Sequence, residues 1–153
     1  MTPEELASFS LFDKLTRVQL GQIAVISRPV TFATGRLIIA EGRTADRCWL
    51  IRSGRIALET RRPNGKSRTV QTLGEGDVLG WSWLVPPYRW TYDCVALDDV
   101  SAIEIDAVQL RDAVEQDCAF GHAILLRFVE VLADRLHGAH ARLTDIYGNP
   151  RAD

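Results

Sequence analysis

The side chains best suited to chemistry crowd into one short stretch. Trp81, Trp83, Tyr88, Trp90 and Tyr92 fall within twelve residues, so three of the chain's four tryptophans and two of its three tyrosines share one segment. Rings at this density can wall a pocket for a flat, apolar or weakly charged ligand, which the hydroxyls of Ser82 and Thr91 would orient. The same rings can instead fill that space as core, the commoner fate of buried aromatics. Both readings stay open on sequence.

The remaining reactive residues make weaker patterns. His137 and His140 are three apart and could share a helix face as metal-binding pairs do, but no third ligand accompanies them. A solvated helix face explains that pair, and His122 is simply a residue near the start of the same helix. Cys48, Cys94 and Cys118 are too scattered for a zinc ribbon, an iron–sulfur site or a disulfide framework, so reduced thiols are expected. Glu75 and Asp77 are paired carboxylates, yet Gly74-Glu75-Gly76-Asp77 is equally a turn composition. There is no Gly-x-Ser-x-Gly elbow, no Gly-x-x-x-x-Gly-Lys-Ser loop and no His-Glu-x-x-His helix. The expectation is a binding protein, with neither catalytic nor metal residues.

Composition agrees with one domain over residues 1–153, with 46% hydrophobic and 25% charged residues. Eighteen basic residues against 20 acidic ones leave a net charge of -2, which disfavours direct nucleic-acid binding through phosphates. The longest apolar stretch, Ala123 to Ala133, is broken by Arg127 and Glu130, and Met1-Thr2-Pro3-Glu4 does not start a secretory signal. A cytoplasmic protein without membrane contact is expected.

Which elements would position the aromatic segment? Residues 2–28 read as helices: Thr2-Pro3-Glu4-Glu5 and Thr16-Arg17-Val18-Gln19 are capping boxes, the second ahead of Leu20, Ile23, Ala24 and Ile26, and Pro29 closes this part. Over 29–106, short β-branched runs punctuated by glycine predict about eight strands of a barrel or jelly roll. Cys48–Arg52 is expected to turn at Ser53-Gly54 into Arg55–Glu59 as a hairpin, and a second hairpin turns at Asn64-Gly65 with both turn residues at positive φ. Further strands are expected at Ser67–Leu73, Tyr92–Ala96 and Ser101–Ile105, the alternation of Ala102-Ile103-Glu104-Ile105 giving one buried and one wet face. Helices resume over 107–147, capped by Asp106 and Asp117, with Gly148 and Pro150 as the stop. Along the last helix Leu125, Val129, Leu132, Leu136, Ala139, Leu143 and Ile146 are separated by 4, 3, 4, 3, 4 and 3 residues, a heptad seam. It predicts a homodimer through this helix; packing on the chain's own barrel is the alternative.

This order of elements resembles the cyclic nucleotide-binding domain family, the sensor half of catabolite-activator-type regulators. The resemblance runs from about Leu11 to Tyr147. It rests on Leu11-Phe12-Asp13-Lys14-Leu15, Phe32-Ala33-Thr34-Gly35, Ile39-Ala40-Glu41-Gly42, Trp49 to Ile56 and Leu73-Gly74-Glu75-Gly76-Asp77-Val78-Leu79-Gly80. It implies a mainly β fold with flanking helices, a β-roll (double-stranded β-helix or jelly roll) carrying a phosphate-cassette-like loop at 74–92 and a long C-terminal dimerisation helix.

In that family a short helix after the cassette glycine offers amides to the cyclic phosphate, beside a glutamate for the ribose and an arginine for the phosphate. Here the corresponding positions read Gly80-Trp81 and Trp90-Thr91, so tryptophan stands at both ionic anchors, and Arg89 lies one residue early. An indole supplies one N–H where a guanidinium supplies a bidentate charged pair. Gly80, Trp81, Ser82, Trp83, Arg89, Trp90 and Thr91 are the candidate ligand residues, for a cyclic nucleotide or an aromatic small molecule. Arg89 would serve only if the loop around Pro86-Pro87 turned it inward, because one step along a strand reverses a side chain.

Three functions follow as expectations. The first is a small-molecule sensor with a degenerate cassette, signalling through its dimer surface to a protein partner. The second is a ligand-free interaction scaffold plugged by Trp81 and Trp90, and the third is a cyclic AMP or cyclic GMP binder using Arg89 and Thr91. The family's helix-turn-helix DNA-binding half is not expected, since the resemblance ends near Gly148.

Overall fold

Two capping boxes set the N-terminal helices α1 (Pro3–Ala7) and α2 (Arg17–Val25): the hydroxyls of Thr2 and Thr16 accept from the amides of Glu5 and Gln19, whose side chains reach back. The computed structural model describes residues 1–147, so the expected stop at Gly148 and Pro150 lies outside the described residues. Pro29 does not end the helical part. Helix α2 stops at Val25, and Pro29 sits inside β1 (Ser27–Phe32), an edge strand where a missing amide is tolerated.

Eight strands build the roll: β1, β2 (Leu37–Ile39), β3 (Arg47–Ser53), β4 (Ile56–Arg61), β5 (Ser67–Leu73), β6 (Val78–Leu79), β7 (Asp93–Ala96) and β8 (Val100–Asp106). They form two antiparallel four-stranded sheets, ordered β1-β8-β3-β6 and β2-β7-β4-β5. The expected hairpin at Ser53-Gly54 is not one. Strand β3 pairs with β8 and β6 while β4 pairs with β7 and β5, so this turn carries the chain from one sheet to the other. Gly54, at φ 90°, lies flat against the equivalent β7–β8 corner: a Cβ there would stand 2.6 Å from the Asp99 carbonyl oxygen. The hairpin between β4 and β5 exists, but only Gly65 takes a positive φ; its amide donates to the Arg62 carbonyl, a type I turn closed by a left-handed glycine.

The wet face expected for β8 is also absent. Cys48–Ile51 of β3 and Ala102–Ile105 of β8 are buried without a break, so both faces of these strands are covered, and α3 (Ala107–Gln116) follows β8 directly. Glu104 is therefore a buried carboxylate. It is held by Arg28 (Nη2 at 2.7 Å), by Arg47 (3.4 Å) and by the indole N–H of its cross-strand neighbour Trp49 (3.0 Å), so that both carboxylate oxygens are partnered.

Helix α4 (Cys118–Tyr147) runs back along the roll. Its Phe120, Ile124 and Phe128 enter the core, and the nearly buried Arg127 donates to the carbonyls of Leu11 and Ser10 and pairs with Asp13, fastening the Leu11–Leu15 segment to the helix. No helix among the described residues is long and apolar enough to cross a membrane.

Candidate functional site

Strand β6 runs into Gly80, whose φ of 92° belongs to the left-handed region. A Cβ at Gly80 would stand 2.8 Å from the Trp90 ring and 3.3 Å from the Arg47 carbonyl, so backbone conformation and space both demand glycine. The chain then makes a single 3-10 turn, Ser82–Leu84, without a side-chain cap. One turn aligns few amides, and so offers an anion little of the dipole that a longer helix would.

The loop returns through Val85–Tyr88, steadied by Arg111 of α3, which stacks on the Tyr88 ring at 4.0 Å and donates to the Trp83 carbonyl. Trp90 is pinned from both backbone groups: its N–H donates to Arg43 O (2.9 Å) and its carbonyl accepts from the Gly42 amide (2.8 Å). Alternation then sends Arg89 and Trp90 to opposite sides. Arg89 is exposed, with Nη1 on the Gly42 carbonyl at 2.9 Å, and lies outside the residues that line the cassette.

Trp90 points inward and is buried. Its ring lies 6.1 Å from that of Trp49 at 33°, and Trp49 in turn meets Phe32 edge-on at 6.3 Å. Gly80, Trp81, Ser82, Trp90 and Thr91 are brought together around what space is left, about 30 Å³. That is roughly the volume one water occupies in the liquid, against ~300–1,000 Å³ for small-molecule pockets. Trp81 is half-buried and Thr91 exposed at the mouth. Trp83 does not join them: it is wholly buried with its ring edge-on to Phe128 of α4 at 5.2 Å.

Two residues of the site were not singled out from sequence. Trp49 is far from the aromatic segment in the chain, and the contact exists only because β3 pairs beside β6. Arg135 of α4 also lines the cassette and donates to the Val78 carbonyl. A signal for it was present: Ile124, Phe128, Val131 and Arg135 continue one face at spacings of 4, 3 and 4. Burial lowers the Arg135 pKa, opposed by the nearby charges of Asp77 and Cys94. Burial likewise pushes the Cys94 thiol, which lines the same space, up to about 12, with the Asp93 carboxylate adding to the effect.

The heptad positions of α4 face away from the roll. Leu125, Val129, Leu136, Leu143 and Ile146 are between 40% and 68% exposed, while Leu132 and Ala139 are half-buried, leaving an apolar stripe without a partner among the described residues.

Residues 29–117 match the sequence profile of the cyclic nucleotide-binding domain. The chain is 27% identical over 143 residues, 94% of its length, to a CRP-like cAMP-activated global transcriptional regulator of Mycobacterium tuberculosis, and spans 62% of that protein. A putative cyclic nucleotide-binding protein from Geobacter metallireducens superimposes with a TM-score of 0.81 at 31% identity, over 90% of this chain and 99% of the other. A cyclic nucleotide-binding domain from Methylobacillus flagellatus shares the fold, with a TM-score of 0.79 at 17% identity over 97% of this chain and 83% of its own.

Proposed function

The chain belongs to the cyclic nucleotide-binding domain family, and from that premise we propose that it is a dimeric regulatory module whose nucleotide cassette is closed by its own tryptophans. One observation carries this reading. The Trp90 ring, seated on Gly80 and against Trp49, leaves about 30 Å³ where a nucleotide would need an order of magnitude more. Trp81 stands where the family places its ribose-binding glutamate, and Arg89, spent on the Gly42 carbonyl, supplies no replacement for the phosphate anchor. Of the three functions expected from sequence, the plugged interaction module fits this geometry best.

Output then falls to α4. Its exposed stripe joins a second copy of the chain, and the paired rolls present one surface to a protein partner. Regulation by cyclic AMP, as in the cAMP-activated M. tuberculosis relative, is not carried over.

The plug is tested by removing it. Trp90→Ala should lower stability by about 3–5 kcal/mol, as other large-to-small core changes do. Free indole should restore part of the lost melting temperature by refilling the cavity, and should leave the wild-type chain unmoved. A Trp90→Ala protein as stable as wild type, or a wild-type melting temperature raised by cyclic AMP, would contradict the proposal.

A further inference from the structure

The second ligand candidate lies on the helix side of the cassette. Between α4, the 3-10 turn Ser10–Phe12 and the β5–β6 connection there is a cleft of about 330 Å³, within the size range of small-molecule sites. Arg135 forms the partition between this cleft and the tryptophan-filled cassette, since its side chain borders both.

The cleft is lined by three arginines, Arg127, Arg135 and Arg142, and three carboxylates, Asp77, Glu130 and Asp134, but of these arginines only Arg127 forms ion pairs among the described residues. Arg127 is satisfied twice, by Asp13 at 3.1 Å and Glu130 at 2.5 Å. Arg135 has no carboxylate within ion-pair distance among the described residues; its one recorded hydrogen bond goes to the neutral carbonyl of Val78. A guanidinium carries five donors, and Arg135, with the Asp77 charge nearby but outside ion-pair contact, has donors to spare. The nearby Asp77 carboxylate accepts instead from the Gly74 amide at 2.8 Å, and Asp134 is exposed. One heptad beyond Arg135 on the same helix face stands Arg142, also lining the cleft, and Gly138 between them leaves the floor open, with nothing within 4 Å of a Cβ built there.

We propose that this cleft is an anion-binding site, in which a small carboxylate- or phosphate-bearing molecule pairs with the Arg135 guanidinium and is assisted by Arg142. An occupant bridging these arginines to Gln71 and Gly76 on the roll would tie α4 to the sheet from the helix side. The ligand input of the module is thereby moved from the cassette to the dimer helix, and the site stands on Arg135 whether or not Trp90 closes the cassette.

The test is a titration of the whole chain with inorganic phosphate and, separately, with malonate, at constant ionic strength with chloride as reference. The side-chain Nε–Hε signal of Arg135, assigned by its loss in Arg135→Lys, is followed by NMR together with the melting temperature. A saturable shift with either anion, weakened at least tenfold by Arg135→Gln and several-fold by Arg142→Gln, is the expected result, and the stronger anion identifies the ligand chemistry. Arg142 is exposed, so its variant keeps the test sound should Arg135→Gln fold poorly. Shifts no different from chloride, or saturation unaltered by Arg142→Gln and Arg135→Gln, would overturn it. Failure here leaves indole rescue of Trp90→Ala untouched, so the two proposals fail separately.

Discussion

Gly80 and Trp90 form a matched pair in which each explains the other. The indole occupies the space that a side chain at Gly80 would need, and the positive φ of Gly80 turns the chain so that this space exists. Gly80→Ala should therefore cost about 2–4 kcal/mol in urea unfolding, from a left-handed alanine plus overpacking against the ring. Buried thiols make the second prediction at this scale. Burial holds Cys48 and Cys94 neutral to high pH, Cys94 to about 12, whereas an unfolded thiol ionises near its ordinary value of about 8.5. Folded pKa values above the unfolded ones mean that this contribution is fully present below about pH 8.5 and is lost as pH rises toward 12. Stability measured against pH should fall over that window, less steeply in Cys94→Ala, and a thiol reagent near neutrality should label only the exposed Cys118. The opposed directions of Arg89 and Trp90 were legible from strand alternation alone, whereas the Trp49–Trp90 contact depends on a sheet pairing that residue spacing does not encode.

Among the elements, α4 divides its labour by face. Phe120, Ile124, Phe128 and Arg135 turn to the roll, and the heptad row from Leu125 to Ile146 turns away. Leu136→Glu, on a residue 55% exposed in the single chain, should leave the fold intact but yield monomer in sedimentation velocity, where the wild type sediments as a dimer. A wild type that stays monomeric at high concentration would remove the dimer from the account. The helix starts were readable to the residue because capping boxes are local signals, whereas α2 ends at Val25 and not at residue 28, since nothing local marks its end before Pro29. Strand number was readable from local signals too. Strand partnership was not: Ser53-Gly54 has the composition of a hairpin turn, but its glycine serves a close approach to Asp99 and the chain crosses between sheets. Likewise Glu104 alternates as a solvent-facing residue would, and it is buried by the indole of Trp49 and the arginines of β1 and β3 that close around it.

At the scale of the molecule, the cyclic nucleotide-binding fold is retained while, on the function proposed above, its cassette is closed. The roll, the cassette turn and the long helix keep the family arrangement, with a TM-score of 0.81 to the Geobacter metallireducens structure, yet beside the buried Trp90 ring the cassette keeps only about 30 Å³. A filled cavity removes the distinction between empty and occupied states on which a nucleotide-driven shift relies, since a ligand moves an equilibrium only by its preference for one state. On the proposed function the roll and α4 are held in one arrangement by packing, and any signal is carried by what binds α4. The most direct test is a calorimetric titration of the wild-type chain with cyclic AMP and cyclic GMP to millimolar concentration, with tryptophan fluorescence followed on the same samples. No saturable heat and no change in fluorescence is the result this account predicts; saturable binding at micromolar concentration, with fluorescence changing in step, would contradict it.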